Sequence, residues 1–272
     1  MSHVINQHIV PKLLLKYFSN KNQTHIWSFD KKAVGQLWEN EKYRAIKNTP
    51  TEKYIYDYVA GCDINSIEYQ LKKIETKIDP LISKLVISKN INKLSTAEKS
   101  LLSEFIAYQI LRTKESYNNT IRIFNDFYKP IEKYLNKKIE INSKQLWLDI
   151  LKNSSEYKNN LMNKTWILAE SNEQFYTSDN PVVFQNSTNY RKERGNLGLN
   201  SKGVEIYFPL SSSIVLCMFC SKTISNISSN LVCDKEIIES LNYLQFKHSG
   251  RFIFSKKGDF NFINELIKKN AM

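Results

Sequence analysis

The sequence predicts an α+β protein, with a helical middle (about 66–163) packed on a mostly antiparallel β-rich part. That part comprises about 164–272 and the N-terminal segment. Two observations carry this. Ile67, Leu71, Ile74, Ile78, Leu81 and Leu85 recur at three- and four-residue steps, which lines one face of a helix. After residue 163 the period falls to two, and short β-branched and aromatic runs alternate with turn residues. No repeat and no linker composition divides the chain, so 1–272 reads as one domain.

The elements follow in order. "INQHIVPKLLLKYFSN" (5–20) is an extended entry leading into a helix, with Pro11 in the first turn, where its missing N–H is no loss. "THIWSFD" alternates as a strand does, and "KKAVGQLWEN" is either its hairpin partner or an irregular link. The helix over 66–86 should be kinked or offset by Pro80. Ser95 and Glu98 have capping-box spacing, and the helix they open is expected to run to about Tyr128, ahead of Pro130. Shorter helices follow at "SKQLWLDILK" and "EYKNNLMN".

"KTWILAES" and "QFYTSDNPVVFQ" read as a strand–turn–strand unit. "VEIYFPLSSSIVLCMFCS" reads as a second pair, turned by Pro209 and Ser211–Ser213. "DKEIIESLNYLQFKHSG" is a helix closed by Gly250, "RFIFSK" a last strand and "DFNFINELIKKN" a terminal helix. The polar, glycine-bearing run Asn186–Gly203 is expected to be a mobile loop, and a flap if a site lies beneath it.

Composition bounds function loosely. A net charge of +12 favours a polyanionic partner, RNA or DNA, although the lysines are spread along the chain and an AT-rich coding bias produces the same surplus. No apolar run approaches the roughly 18–20 residues that span a bilayer, and the N-terminus lacks signal-peptide texture. A cytoplasmic location with no membrane partner is the expectation. Cys217 and Cys220 have half the spacing of a zinc site, but they lie in an apolar run without a second pair, so they and Cys62 and Cys233 read as structural thiols.

More informative are polar residues on apolar faces. On a helical wheel Arg112 falls between Leu101 and Phe105, and Gln109 between Phe105 and Leu102, so both point inward. A buried guanidinium needs an anion. Glu75, Glu68 and Asp179 are the available carboxylates, Asp179 standing beside Asn180 inside the interrupted strand. His8, next to Ile9 and Val10, is expected to be half-buried.

These positions also carry a resemblance. "QHIVPKLLLKYFS", "IEYQLKKIE", "LSTAEKSLLSEFIAYQILRT", "FYTSDNPV", "FPLSS" and "HSGRFIFS" occur in an order that resembles the bacterial domain-of-unknown-function 4238 family. The resemblance implies one α+β domain and an association with bacterial defence, antiviral defence or toxin genes, without a settled activity.

Two functions are therefore expected. In the first, His8, Glu75, Gln109, Arg112, Asp179 and Asn180 converge on one catalytic site for phosphodiester hydrolysis, of RNA. Asp179 and Glu75 would hold a divalent cation or His8 would act as base, and Arg112 would meet the phosphate. No known nuclease or phosphate-loop spacing accompanies them. In the second, the same cluster is a structural clamp inside a non-enzymatic module that binds nucleic acid or protein through its basic surface. Asp179 then serves as a local turn-former.

Overall fold

The computed structural model describes residues 6–33, 40–53, 55–56, 67–140, 142–188, 197–221 and 228–270. It is an α+β fold. Strand β1 (Asn6–His8) pairs with β4 (Thr51–Lys53), and between them lie the short helix α1 (Lys12–Leu15), a 3-10 turn (Lys16–Phe18) and the hairpin β2 (His25–Asp30) and β3 (Glu41–Ala45). The helical middle comprises α2 (Ile67–Ser88), α3 (Thr96–Leu111), α4 (Lys114–Leu135), α5 (Ser143–Lys152) and α6 (Ser155–Met162). Then come β5 (Thr165–Glu170), β6 (Thr177–Ser178), β7 (Val183–Gln185), β8 (Glu205–Ser211), β9 (Ile214–Phe219), β10 (Asn230–Val232), α7 (Lys235–His248), β11 (Phe252–Ser255) and α8 (Asn261–Asn270).

Two sheets organise the molecule. One has the order β10-β5-β9-β8-β7, antiparallel except for the parallel β10–β5 pair. The other has the order β3-β2-β11-β6 and is antiparallel throughout. Side-chain alternation explains the continuous apolar runs. Trp166 and Leu168 of β5 join the large core beneath the helical middle, whereas Ile167 and Ala169 join a second cluster under α7 with Ile238 and Leu241. A strand buried on both faces has no polar side to show. The four-stranded sheet is covered on one face by α8, through Phe29, Ile253, Phe260 and Ile263.

Three expectations need correction. The helix from Ser95 is not continuous: it breaks at Arg112 and Thr113 into α3 and α4. Local capping beats the periodic pattern there. Thr113 is extended and its Oγ1 accepts the Ser116 N–H at 3.1 Å, while the carbonyls left open at the end of α3 are taken by side chains. Trp147 Nε1 donates to Leu111 O at 2.9 Å and the Tyr56 hydroxyl donates to Arg112 O at 3.1 Å. Such groups otherwise remain unpaired at a helix end. Beyond the break, α4 carries Pro130 within its span and ends only at Asn136, in the left-handed region.

The second correction concerns "QFYTSDNPVVFQ". It is no hairpin partner of β5, whose neighbours are β9 and β10. Its Thr177–Ser178 half pairs with β11 in one sheet, its Val183–Gln185 half with β8 in the other, and Ser-Asp-Asn-Pro is where the chain crosses between them. Third, the partner of β2 is Glu41–Ala45. Too polar to announce itself, this segment follows 34–39, which lie outside the described residues together with Cys62 and the middle of the Asn186–Gly203 run.

Candidate functional site: a polar junction and a basic cleft

The break between α3 and α4 aims Arg112 into the protein, where it is 3% exposed. Its guanidinium has three acceptors on three segments. Nη1 donates to Glu75 Oε1 of α2 at 2.7 Å, Nη2 to the backbone carbonyl of His8 at 3.0 Å, and Nε to the Tyr56 hydroxyl at 3.2 Å. Burial alone would lower its pKa, but the Tyr56 and Glu75 groups outweigh this and hold it above the ordinary value. The arginine thus joins β1, α2 and the turn after β4. Its counter-ion is Glu75, one of the three carboxylates the sequence offers, and not Asp179.

Asp179 is occupied elsewhere. At the start of the crossing between sheets, Oδ1 accepts the Gly250 N–H at 2.8 Å, and Oδ2 accepts those of Arg251 at 2.8 Å and Phe252 at 3.0 Å. Burial lifts its carboxyl above the usual range, against these three donors and the nearby Lys31. Asn180 Nδ2 donates to His248 O at 3.1 Å. Its neighbours are read by amides on α7 that the sequence analysis passed over. Asn242 accepts the Tyr176 N–H at 2.8 Å, and Gln245 takes the Ser178 hydroxyl at 2.8 Å while donating to Pro181 O at 3.0 Å. Asn242 and Gln245 fall at the buried positions of α7 beside Ile238, Leu241 and Leu244, and those two amides on the apolar face were the available signal.

His8 contributes its carbonyl to Arg112, and its ring Nδ1 lies 3.3 Å from Thr49 Oγ1. Burial first, then Lys12 and Arg112, lower its pKa to about 4, so it is neutral at pH 7 and a weak base. Gln109 is 1% exposed, and neither polar atom of its side chain has a hydrogen-bond partner among the described residues. The six predicted residues therefore form two separate bonded groups, Arg112–Glu75–His8 and Asp179–Asn180, with Gln109 bonded to neither.

A small crevice lies between the groups, lined by Ile9, Thr49, Asp179 and Phe252 among others. It holds about 10 Å³, space for one water at most. No group of three His, Cys, Asp or Glu side chains that could hold a metal occurs among the described residues. Cys217 and Cys233 are buried thiols, and burial raises the pKa of both, that of Cys233 to about 11. No helix among the described residues is long and apolar enough to cross a membrane.

A much larger open space lies on the other side of α1. This cleft of about 630 Å³ is lined by Lys12, Lys16, Lys47, Gln23, Thr24 and His25, over a floor that includes Leu13 and Ile46. The one carboxylate among its described lining residues, Asp79, is held by Lys16 at 2.6 Å and by the Tyr17 hydroxyl at 3.1 Å. Lys12 and Lys47 are exposed and have no ion-pair partner among the described residues. That leaves two uncompensated positive charges at the rim.

No curated protein and no solved structure matches the chain. A family model described as "Protein of unknown function (DUF4238)" matches residues 6–259, from the strand that carries His8 to the loop before α8. That match spans both polar groups, the crossing between sheets and the basic cleft, and the chain belongs to this DUF4238 family.

Proposed function

We propose that the protein is a non-enzymatic nucleic-acid-binding module, and that its buried polar residues are clamps, Arg112 tying the end of α3 to β1, α2 and the turn after β4, and Asp179 and Asn180 fixing the crossing between the two sheets to the α7–β11 connection. The observation that carries this reading is the contrast in space and saturation. Around Asp179 there is room for about one water, whereas 630 Å³ of open cleft lies beside two lysines with no ion-pair partner among the described residues. A phosphodiester needs a substrate-sized cavity and polar groups free to meet it. Arg112 and Asp179 instead spend their hydrogen bonds on backbone and side chains of the fold. The surplus of twelve positive charges supplies attraction for a polyanion over the whole surface.

The test is to mix the purified protein with end-labelled RNA and DNA, with and without magnesium or manganese. Binding is followed by anisotropy and strand length on a denaturing gel. The strands should be bound, more weakly as salt rises, and recovered at full length under every condition. Metal-dependent shortening that disappears in Asp179→Asn would overturn this reading in favour of phosphodiester hydrolysis. Absence of binding would overturn it outright.

A further inference from the structure

The cleft lies at the open end of a row of three aromatic rings, tilted by 42° between Trp27 and Tyr43 and stacked between Tyr43 and His25. On the β2–β3 hairpin, Trp27 is directly opposite Tyr43, and His25 is the next residue on the same face of β2. The Trp27 and Tyr43 rings are 5.2 Å apart, and those of Tyr43 and His25 are 5.3 Å apart and nearly parallel, with 25° between their planes. One end of the row is closed, because Gly258 lies so near the Trp27 indole that an added Cβ would stand 2.8 Å from it. At the other end His25 borders the cleft, and Tyr43 is 48% exposed.

The lip of the cleft is built rigidly. Asn20 Oδ1 accepts the backbone N–H of Thr24 at 3.0 Å and of His25 at 3.2 Å, which pins the turn before β2. Within that turn Gln23 adopts a φ of 54°, a left-handed conformation that is uncommon outside glycine, asparagine and aspartate. Its exposed amide belongs to the cleft wall, next to the Thr24 hydroxyl. Such a wall offers a donor and an acceptor for the edge of a planar heterocycle, and His25 offers a face. Lys12 and Lys47 lie at the rim, where the linked phosphates would pass.

The geometry points to a single-stranded nucleic acid as the ligand of this cleft, with one base stacked on His25 as the fourth ring of the series. This rests on the nucleic-acid reading above and adds where the strand binds and in what form. A duplex keeps its bases in the helical stack and cannot insert one, so single strands should be favoured. Stacking also tolerates any base, because every base has a π-face. Lys12 and Lys47 together would engage about two phosphates.

The experiment uses the full chain and a fluorescent 2-aminopurine embedded in oligo-dT or oligo-U, with the matching duplex and the free mononucleotide as controls. Wild type should quench the 2-aminopurine, prefer the single strand over the duplex by tenfold or more, and bind the mononucleotide far more weakly. Comparison of the two oligomers separates RNA from DNA. His25→Ala should weaken single-strand binding about tenfold and abolish quenching, while His25→Phe, which keeps a ring, should restore both. Lys12→Glu with Lys47→Glu should reduce the slope of log affinity against log salt by about 1.4 or more.

If wild type binds no nucleic acid, the broader reading has failed and this site with it. If wild type binds but His25→Ala and the lysine pair bind equally well, nucleic-acid binding stands and the cleft is not where it happens. Equal affinity for duplex, or for mononucleotide, would overturn the single-strand assignment.

Discussion

The junction around Arg112 and the cleft beside His25 are only a short helix apart, yet they treat charge in opposite ways. At the junction a buried guanidinium has a carboxylate, a carbonyl and a phenol for its donors, and the nearby carboxylate of Asp179 has three N–H groups. At the cleft, Lys12 and Lys47 face solvent without an ion-pair partner among the described residues. Burial explains the difference. A charge removed from water must be compensated within the protein, and that compensation uses up its capacity to meet a ligand. A charge left in water costs nothing to keep available. Polar residues found inside a core are thus poor guides to where a ligand binds unless open space accompanies them.

The comparison is broken most easily at Arg112. Arg112→Ala leaves Glu75 and the His8 carbonyl without their donor and should destabilise the protein by about 3–5 kcal/mol, the range for removing one partner of a buried pair. Lys12→Glu and Lys47→Glu should each stay within about 0.5 kcal/mol, as exposed substitutions do. Urea unfolding of all three variants checks this, and equal losses would erase the distinction drawn here.

A smaller effect sits at the helix break. Thr113→Ala removes the hydroxyl that caps α4 and should cost about 1 kcal/mol in the same unfolding assay. Were α3 and α4 one continuous helix in solution, the change to alanine would instead be neutral or stabilising.

The pH dependence sharpens the junction further. The folded protein holds His8 at about 4 against an ordinary 6.5, so below pH 6.5 the unfolded chain takes up a proton that the native state refuses. Stability attached to this residue is complete above pH 6.5 and lost as pH falls towards 4. Thermal melting of His8→Gln should show a shallower decline over that window than wild type, and an identical slope would place His8 in solvent. Least of all, Gln109→Leu should be neutral or stabilising by about 1 kcal/mol, because it removes two buried polar atoms that have no partner among the described residues.

Much of this was legible in the chain. The periodic apolar face of α2, the Ser95–Glu98 capping box and the inward direction of Arg112 all follow from local spacing, and the structure contains each. What local spacing does not encode is the identity of a distant partner. Glu75, Glu68 and Asp179 were all candidates for Arg112, and only the placement of α2 against α3 decides among them. The same is true of "SDNP". Alternation marks residues on both sides as strand, but nothing in a period of two says that Thr177 and Val183 belong to different sheets. The β3 segment "EKYRA" was missed for another reason. It is an edge strand with charged residues along it, a composition suited to an edge exposed to water and unlike the β-branched pattern of a central strand. The basic cleft escaped as well, since Lys12, Lys47 and His25 come together only through the fold.

The account depends on the polar junction serving the fold, and Asp179→Asn tests this most directly. The substitution preserves shape and removes the charge that three backbone N–H groups converge on, so it should cost about 2 kcal/mol and lower the melting temperature by several degrees. The variant that remains folded should bind single-stranded nucleic acid as wild type does. An unchanged melting temperature accompanied by loss of binding, or of a cleavage activity, would contradict the account and return Asp179 to a working site.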